Sequence, residues 1–240
     1  MNNPLASLFA KYRAIVLFDC ETTGTDVGTC QIIELAAMRI EQTNNGTLRV
    51  AGKMDAFVRL PDGEKIPEKI VELTGITDQM LASEGVATYK AAAQFAKMLV
   101  EGPTLMAAHN AQFDLLFARE LLRGHKIGQT AFLDTLTVYK DRRPYPHKLA
   151  NAIISYELTD KVQNSHRAID DVLALLEVLK AMGAERDDLA AYVNIFGYNA
   201  KYGVSGSRIA GVRYEAQSFC NIMTRPEQTL PARVARGGAR

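Results

Sequence analysis

The chain has 240 residues, enough for one sizeable domain with an extension or for two small domains. Its 48% hydrophobic and 23% charged residues are the balance of a globular protein, which excludes a disordered or fibrous chain. Lys and Arg number 28 against 27 Asp and Glu, so there is no global basic excess of the kind that marks a nucleic-acid coat protein, and any such contact has to be local.

The three cysteines, Cys20, Cys30 and Cys220, are odd in number and lack C-x-x-C spacing, which speaks against a disulfide framework and a zinc site. A reducing cytoplasm is the expected compartment. No apolar run approaches bilayer length, and residues 1–13 lack a continuous apolar segment with a cleavage site, so a soluble, unprocessed protein with no membrane partner is expected.

In chain order, residues 14–18 (Ala-Ile-Val-Leu-Phe) are a short apolar run with β-branched members and read as a buried strand ending at Asp19. Residues 32–40 and 48–58 read as two further strands joined by the turn signal Asn44-Asn45-Gly46, which makes an antiparallel meander. Residues 67–73 and 88–100 have helical spacing, the second with Ala92, Phe95, Ala96 and Leu99 on one face.

Residues 104–108 resemble a second buried strand, and residues 111–123 an amphipathic helix with Gly124 as its stop. Phe132 and Leu133 suggest a short last strand before Asp134. Residues 167–182 place Ile169, Val172, Leu173, Leu176 and Leu179 at helical intervals, with Asn164 or Ser165 as N-cap and Gly183 beyond the end. Strands followed by alternating helices and strands define an α/β domain with a mixed sheet. The expected division is a core over residues 1–183 and a C-terminal extension over 184–240. In that extension, residues 187–196 suggest one more helix, 196–206 a hairpin, and Arg233 to Arg240 a mobile basic tail.

Three acidic elements carry the chemistry. In Asp19-Cys20-Glu21 the carboxylates lie two residues apart at a strand end and so point to one face, an invitation to a divalent cation such as Mg²⁺ or Mn²⁺. Alone the pair is weak, since most strand-end acids are simply solvated. In His109-Asn110-Ala111-Gln112-Phe113-Asp114 a strand ends and a helix begins, with Asn110 placed as N-cap and Asp114 in the first turn; plain helix capping is the competing account. In His166-Arg167-Ala168-Ile169-Asp170-Asp171 a loop histidine, the natural general base near neutral pH, precedes acids in the first turns of a helix. Asp170 and Asp171 are adjacent and do not share a helical face, so only one of them belongs to the site.

Together, residues 18–24 (Phe-Asp-Cys-Glu-Thr-Thr-Gly), residues 109–114, His166-x-Ala168-x-x-Asp171 and Leu73-Thr74-Gly75-Ile76-Thr77 resemble the DEDD exonuclease superfamily in its His-containing branch, which includes the epsilon proofreading subunit of bacterial DNA polymerase III. The resemblance implies a ribonuclease H-like exonuclease fold with a mixed five-stranded sheet whose first three strands are antiparallel. It also implies a 3′-to-5′ exonuclease acting on single-stranded DNA through two divalent cations, Mg²⁺ or Mn²⁺, and releasing nucleoside 5′-monophosphates. On that pattern Asp19, Glu21, Asp114 and Asp171 hold metal and His166 deprotonates water. Thr22, Thr23, Gly24, Ile76, His109, Asn110 and Phe113 then flank the terminal nucleotide, with a place in the core as the equal competing account for Ile76 and Phe113. The implied partners are DNA 3′ ends and a DNA polymerase or repair protein. The competing functions are an exoribonuclease of the same chemistry and a non-catalytic nucleic-acid-binding or polymerase-associated module. The basic groups Arg142, Arg143, His147 and Lys148 are a candidate phosphate track, with a solvated face as the plainer account.

Overall fold

The computed structural model describes residues 3–217. The order is α1 (Ala6–Phe9), β1 (Ala14–Thr22), β2 (Ile32–Gln42), β3 (Leu48–Phe57), α2 (Glu68–Thr74), α3 (Asp78–Glu84), α4 (Thr88–Lys97), β4 (Thr104–Ala108), α5 (Ala111–Leu121), β5 (Thr130–Asp134), α6 (Thr135–Arg142), α7 (Leu149–Ser155) and α8 (Ala168–Glu185). A short 3₁₀ turn (Leu189–Tyr192), β6 (Ile195–Tyr198) and β7 (Arg213–Ala216) follow.

The first five strands form one mixed sheet in the order β3-β2-β1-β4-β5. β1, β2 and β3 run antiparallel, whereas β4 and β5 run parallel to β1. This is the ribonuclease H-like arrangement expected from the sequence.

β1 is buried on both faces, which is why its sequence is an unbroken apolar run. Ile15 and Leu17 pack with Val172, Leu175 and Leu179 of α8. Val16, Phe18 and Cys20 face the opposite way, against Phe95 of α4 and Leu115 and Ala118 of α5. Phe18 and Phe95 meet at 5.5 Å between ring centroids. Each such side chain contributes about 1.5–3 kcal/mol on burial, so the two-sided packing holds the strand that carries the first acids.

Several boundaries differ from the sequence reading. Helix α8 starts after Arg167, and neither Asn164 nor Ser165 caps it. Gly183 lies inside α8 and does not end it. A Cβ on Gly183 would come within 2.0 Å of the Pro4 carbonyl oxygen, so the glycine is there for the close approach of the N-terminal segment. Residues 187–196 form no single helix. Asn194, at φ 57°, turns the chain, and Ile195–Tyr198 becomes a strand instead. That strand pairs in parallel with Arg213–Ala216, in place of the expected hairpin, and the segment between them closes through an Asn199–Gly203 bridge.

Asn194 also guards the rim of the main sheet. Its N–H donates to the Phe132 carbonyl at 2.7 Å, and its side-chain oxygen accepts from the Phe132 N–H at 2.8 Å. Half of the anticipated phosphate track, Arg142 and His147, is folded inward, whereas Lys148 is exposed. Arg142 is 1% exposed and pairs with Glu185 and Asp188 while donating to the Met182 carbonyl. His147 is buried as well, and its Nε2–H donates to the Arg143 carbonyl at 2.9 Å. The expected C-terminal tail and Cys220 lie outside the described residues. Among the described residues, no helix is long and apolar enough to cross a membrane.

Candidate active site

Asp19 and Glu21 occupy the last part of β1, on the same face as Ile15 and Leu17 and hence toward α8. In the pairing with β2, Asp19 lies opposite Ala36 and Glu21 opposite Glu34; the register slips immediately afterwards, between Glu21 and Thr22. The strand therefore turns away just past its second acid.

Asp114 sits in the first turn of α5, which springs from the end of β4 beside β1. Its Oδ1 accepts a hydrogen bond from the Cys20 N–H at 3.1 Å, which ties it to the backbone between Asp19 and Glu21. Asn110 stands at the N-cap position in a left-handed conformation, φ 71°, and its side chain makes no capping bond, contrary to the sequence reading. The acceptor is Asp134 at the end of β5, whose Oδ1 takes the N–H groups of Asn110 and Ala111 at 3.0 and 3.1 Å. The same carboxylate caps α6 through Leu136, Thr137 and the Thr137 hydroxyl.

His166 is exposed on a left-handed turn, φ 57°, immediately ahead of α8. Asp170 accepts from the Ser165 hydroxyl at 2.6 Å, whereas Asp171 is buried and turned to the β1 acids. One ligand atom each from Glu21, His166 and Asp171 lie within 4.8 Å of one another.

The loop that presents His166 is anchored by a group the sequence reading missed. Glu34 on β2 is 0% exposed and receives Arg167 Nε and Nη2 at 3.1 and 2.8 Å. Its Oε2 accepts from the Ala168 N–H at 2.9 Å and so caps α8. Arg167 also stacks over the Phe57 ring, 5.0 Å from its centroid. An acidic residue within an apolar strand was the available signal.

Crowding acids into a dry site raises their proton affinity. Burial, then Asp114, Asp171, Glu21 and Glu34, hold the Asp19 carboxyl well above the usual carboxylate range. Burial and the neighbouring Asp171 and Glu34 push Glu21 up to about 8. Burial likewise takes Asp114 to about 8 against the lowering pull of the Cys20 N–H, and takes Asp171 to about 6. Among the described residues, the buried Asp171 Oδ1 atom has no hydrogen-bond partner. An orphaned carboxylate oxygen within a set of raised acids fits a hard divalent cation, which supplies the missing partner and the missing positive charge.

The residues expected around the terminal nucleotide fare differently. Thr22 donates its hydroxyl to the Gly24 carbonyl at 2.6 Å, and the Thr23 hydroxyl accepts from the Gln31 N–H at 2.9 Å, so both shape the turn after β1. At Gly24 a Cβ would lie 2.8 Å from the Cys30 sulfur, so a larger residue there would push that side chain aside. Phe113 is half-buried, 5.0 Å from Phe117, and with Asn110 lines an open cleft next to Asp114. Ile76 is 0% exposed in a small core with Ile33, Ile66 and Leu81, the core position that the sequence left open for it beside substrate contact. His109 has one ring nitrogen 3.0 Å from the Thr135 hydroxyl and the other 2.9 Å from the His147 carbonyl, so it ties α6 to the loop before α7.

A ribonuclease H-like sheet with converging carboxylates and a histidine at its rim defines a metal-dependent nuclease class. The model of the exonuclease family matches residues 16–179, and the chain belongs to that family. Exonucleases of this kind use divalent metal ions.

The chain is 36% identical over 181 residues to a DNA polymerase III subunit epsilon-like protein of Rhodobacter capsulatus, covering 70% of this chain and 24% of the relative. It is 30% identical over 167 residues to the PolC-type DNA polymerase III of Clostridium perfringens, covering 69% of this chain and 11% of that protein. The matched segment thus spans less than a quarter of either relative's length. In fold it resembles Escherichia coli exonuclease I in complex with a dT13 oligonucleotide, with TM-score 0.62, 18% identity, and coverage of 75% of this chain and 43% of the other.

Proposed function

We propose that the chain is a 3′-to-5′ exonuclease that hydrolyses single-stranded DNA from its 3′ end with two divalent cations, Mg²⁺ or Mn²⁺, in proofreading or repair. The observation that carries this reading is the convergence of Glu21, His166 and Asp171 within 4.8 Å at the rim where Asp19 and Asp114 are also held. Membership of the exonuclease family and the likeness to a structure with bound oligonucleotide support it.

Asp19, Glu21, Asp114 and Asp171 would hold the cations, which when bound acidify water and offset charge on the leaving oxygen. His166, exposed beside Glu21 and Asp171, takes the proton as the water oxygen attacks phosphorus; the bond to the 3′ oxygen breaks, and a nucleoside 5′-monophosphate leaves. Relatives named as DNA polymerase III proteins support association with a polymerase.

The test uses end-labelled single-stranded, duplex and mismatched DNA and matched RNA, with and without Mn²⁺. Stepwise release of mononucleotides from DNA 3′ ends is expected. Products cut from internal positions, or digestion of RNA alone, would overturn the reading.

A further inference from the structure

Beside the acids lies a cleft of about 790 Å³ that the catalytic residues do not explain. Its lining comes from the turn after β1 (residues 25–28), from α5 through Phe113 and Leu116, and from residues 205–208. The last of these lies outside the stretch matched by the family, residues 16–179.

That outer wall is fastened to α5. The Gln112 side-chain amide donates to the carbonyls of Ser205 and Ser207 at 2.8 and 2.9 Å. Its oxygen accepts from the Tyr214 hydroxyl at 2.7 Å, and that hydroxyl accepts from the Ile209 N–H at 2.8 Å. Ile209, 3% exposed, anchors the segment in the same core as Phe196. Gly206, at φ 70°, lets the backbone pass over Leu116, where a Cβ would come within 2.7 Å of its methyl group. Phe113 immediately precedes Asp114, so the cleft adjoins the reaction centre.

Two arginines of its lining stand open to phosphates. Arg119 and Arg208 line it, both exposed, and neither is ion-paired with a carboxylate among the described residues. Arg208 is held over the Tyr214 ring, 4.9 Å from the centroid. Of the two acids in the lining, Glu120 is paired with Arg123 and Asp26 accepts from the Gly28 N–H at 2.9 Å within its own turn.

We infer that the C-terminal segment 205–208 and α5 form a second binding groove for the single-stranded polynucleotide upstream of the scissile bond, with Arg208 and Arg119 on its phosphates and Phe113 and Leu116 against its bases. This rests on the exonuclease reading and deepens it. The groove gives longer substrates more contacts than a dinucleotide, so KM falls as the oligonucleotide lengthens.

The test compares wild type, Arg208→Ala, Arg208→Lys and Gln112→Ala on a series from dinucleotide to octanucleotide at several salt concentrations. Arg208→Ala is expected to shrink the KM advantage of the octanucleotide about fivefold and to make the log–log salt dependence shallower by about 0.7, the contribution of one phosphate contact on a single strand. Arg208→Lys restores the salt dependence, and Gln112→Ala, which frees the wall, mimics the loss.

A thiothymidine placed a few nucleotides from the 3′ end is expected to crosslink to residues 205–208 in the wild type, a readout independent of whether a variant folds. Length and salt dependence unchanged in Arg208→Ala, or crosslinks confined to other parts of the chain, would overturn the groove alone. Failure of the wild type to shorten any oligonucleotide would overturn the exonuclease reading and the groove with it.

Discussion

That Asp19, Glu21, Asp114, His166 and Asp171 lie at one rim was legible in two steps: period two puts Asp19 and Glu21 on one face and helix geometry admits only one of Asp170 and Asp171, while the choice of Asp171, with Asp114 and His166, comes from the family resemblance. Glu34 was half legible: an acid within an apolar strand signals a buried partner, but the partner, Arg167, lies 133 residues away. The surroundings of Ile76 and His109 did not show in the sequence: Ile76 fills a core, the position left open for it, and His109 engages both ring nitrogens in internal bonds.

Two predictions belong to single residues. Glu34→Gln leaves Arg167 and the Ala168 N–H poorly satisfied. Arg167 is one-third exposed, so the cost is discounted to about 2 kcal/mol, below that of a fully buried pair, and appears as a melting point lower by about 4–8 °C. Turnover falls with it, because His166 and Asp171 flank the clamp. In the second, His166→Ala lowers turnover about 10²- to 10⁴-fold, the range of a lost general base, while a calorimetric Mn²⁺ titration still shows binding. Asp19→Asn abolishes both, and an Asp19→Asn protein with normal cleavage would refute the assigned roles.

At the scale of elements, β1, β2, α4, α5 and α8 follow from apolar pattern, because each buries a regular face, whereas β3 is mostly exposed and is announced chiefly by the turn before it. Helices α3, α6 and α7 have seven or eight residues, too short for periodicity to stand out, and α6 is rich in β-branched and polar types. β6 and β7 are four-residue strands paired across a long connection, which no local pattern announces. What aligns α5 and α6 is Asp134, 4% exposed, serving both N-termini at once. Asp134→Ala is expected to cost about 2–4 kcal/mol in urea unfolding, two caps at about 1–2 kcal/mol each, and Asp134→Asn less than that because it keeps an acceptor oxygen. Since α5 carries Asp114, activity should fall alongside stability.

At the scale of the molecule, the acids make stability and metal binding depend on pH in opposite senses. Carboxyls raised from the ordinary range near about 4 retain protons that the unfolded chain has released. In the metal-free protein their contribution to stability is complete below about pH 4 and is lost as pH rises through about 6 for Asp171 and about 8 for Glu21 and Asp114. Metal binding displaces those same protons and strengthens over the same window. Scanning calorimetry in chelator should therefore show the melting point falling from pH 5 to pH 9. Mn²⁺ at about a hundred times its dissociation constant should raise it by about 5–10 °C at the alkaline end, corresponding to about 2.7 kcal/mol, and by much less at the acidic end. A metal-free protein that grows more stable toward pH 9 would contradict the raised acids.

The bond pair between Asn194 and Phe132 reaches beyond the single molecule. A mixed sheet has two flanks where a foreign strand can dock. On one flank β3 is defended by exposed Arg49, Lys53 and Asp55 and by the irregular register opposite Arg39 and Ile40. On the other, β5 is short and its Phe132 amide is already engaged by Asn194. Replacing Asn194 by Ala would uncover that amide beside the apolar residues of β5, and light scattering on mild warming should rise well before the fold melts. A single asparagine thus helps to keep copies of this protein from adding to one another.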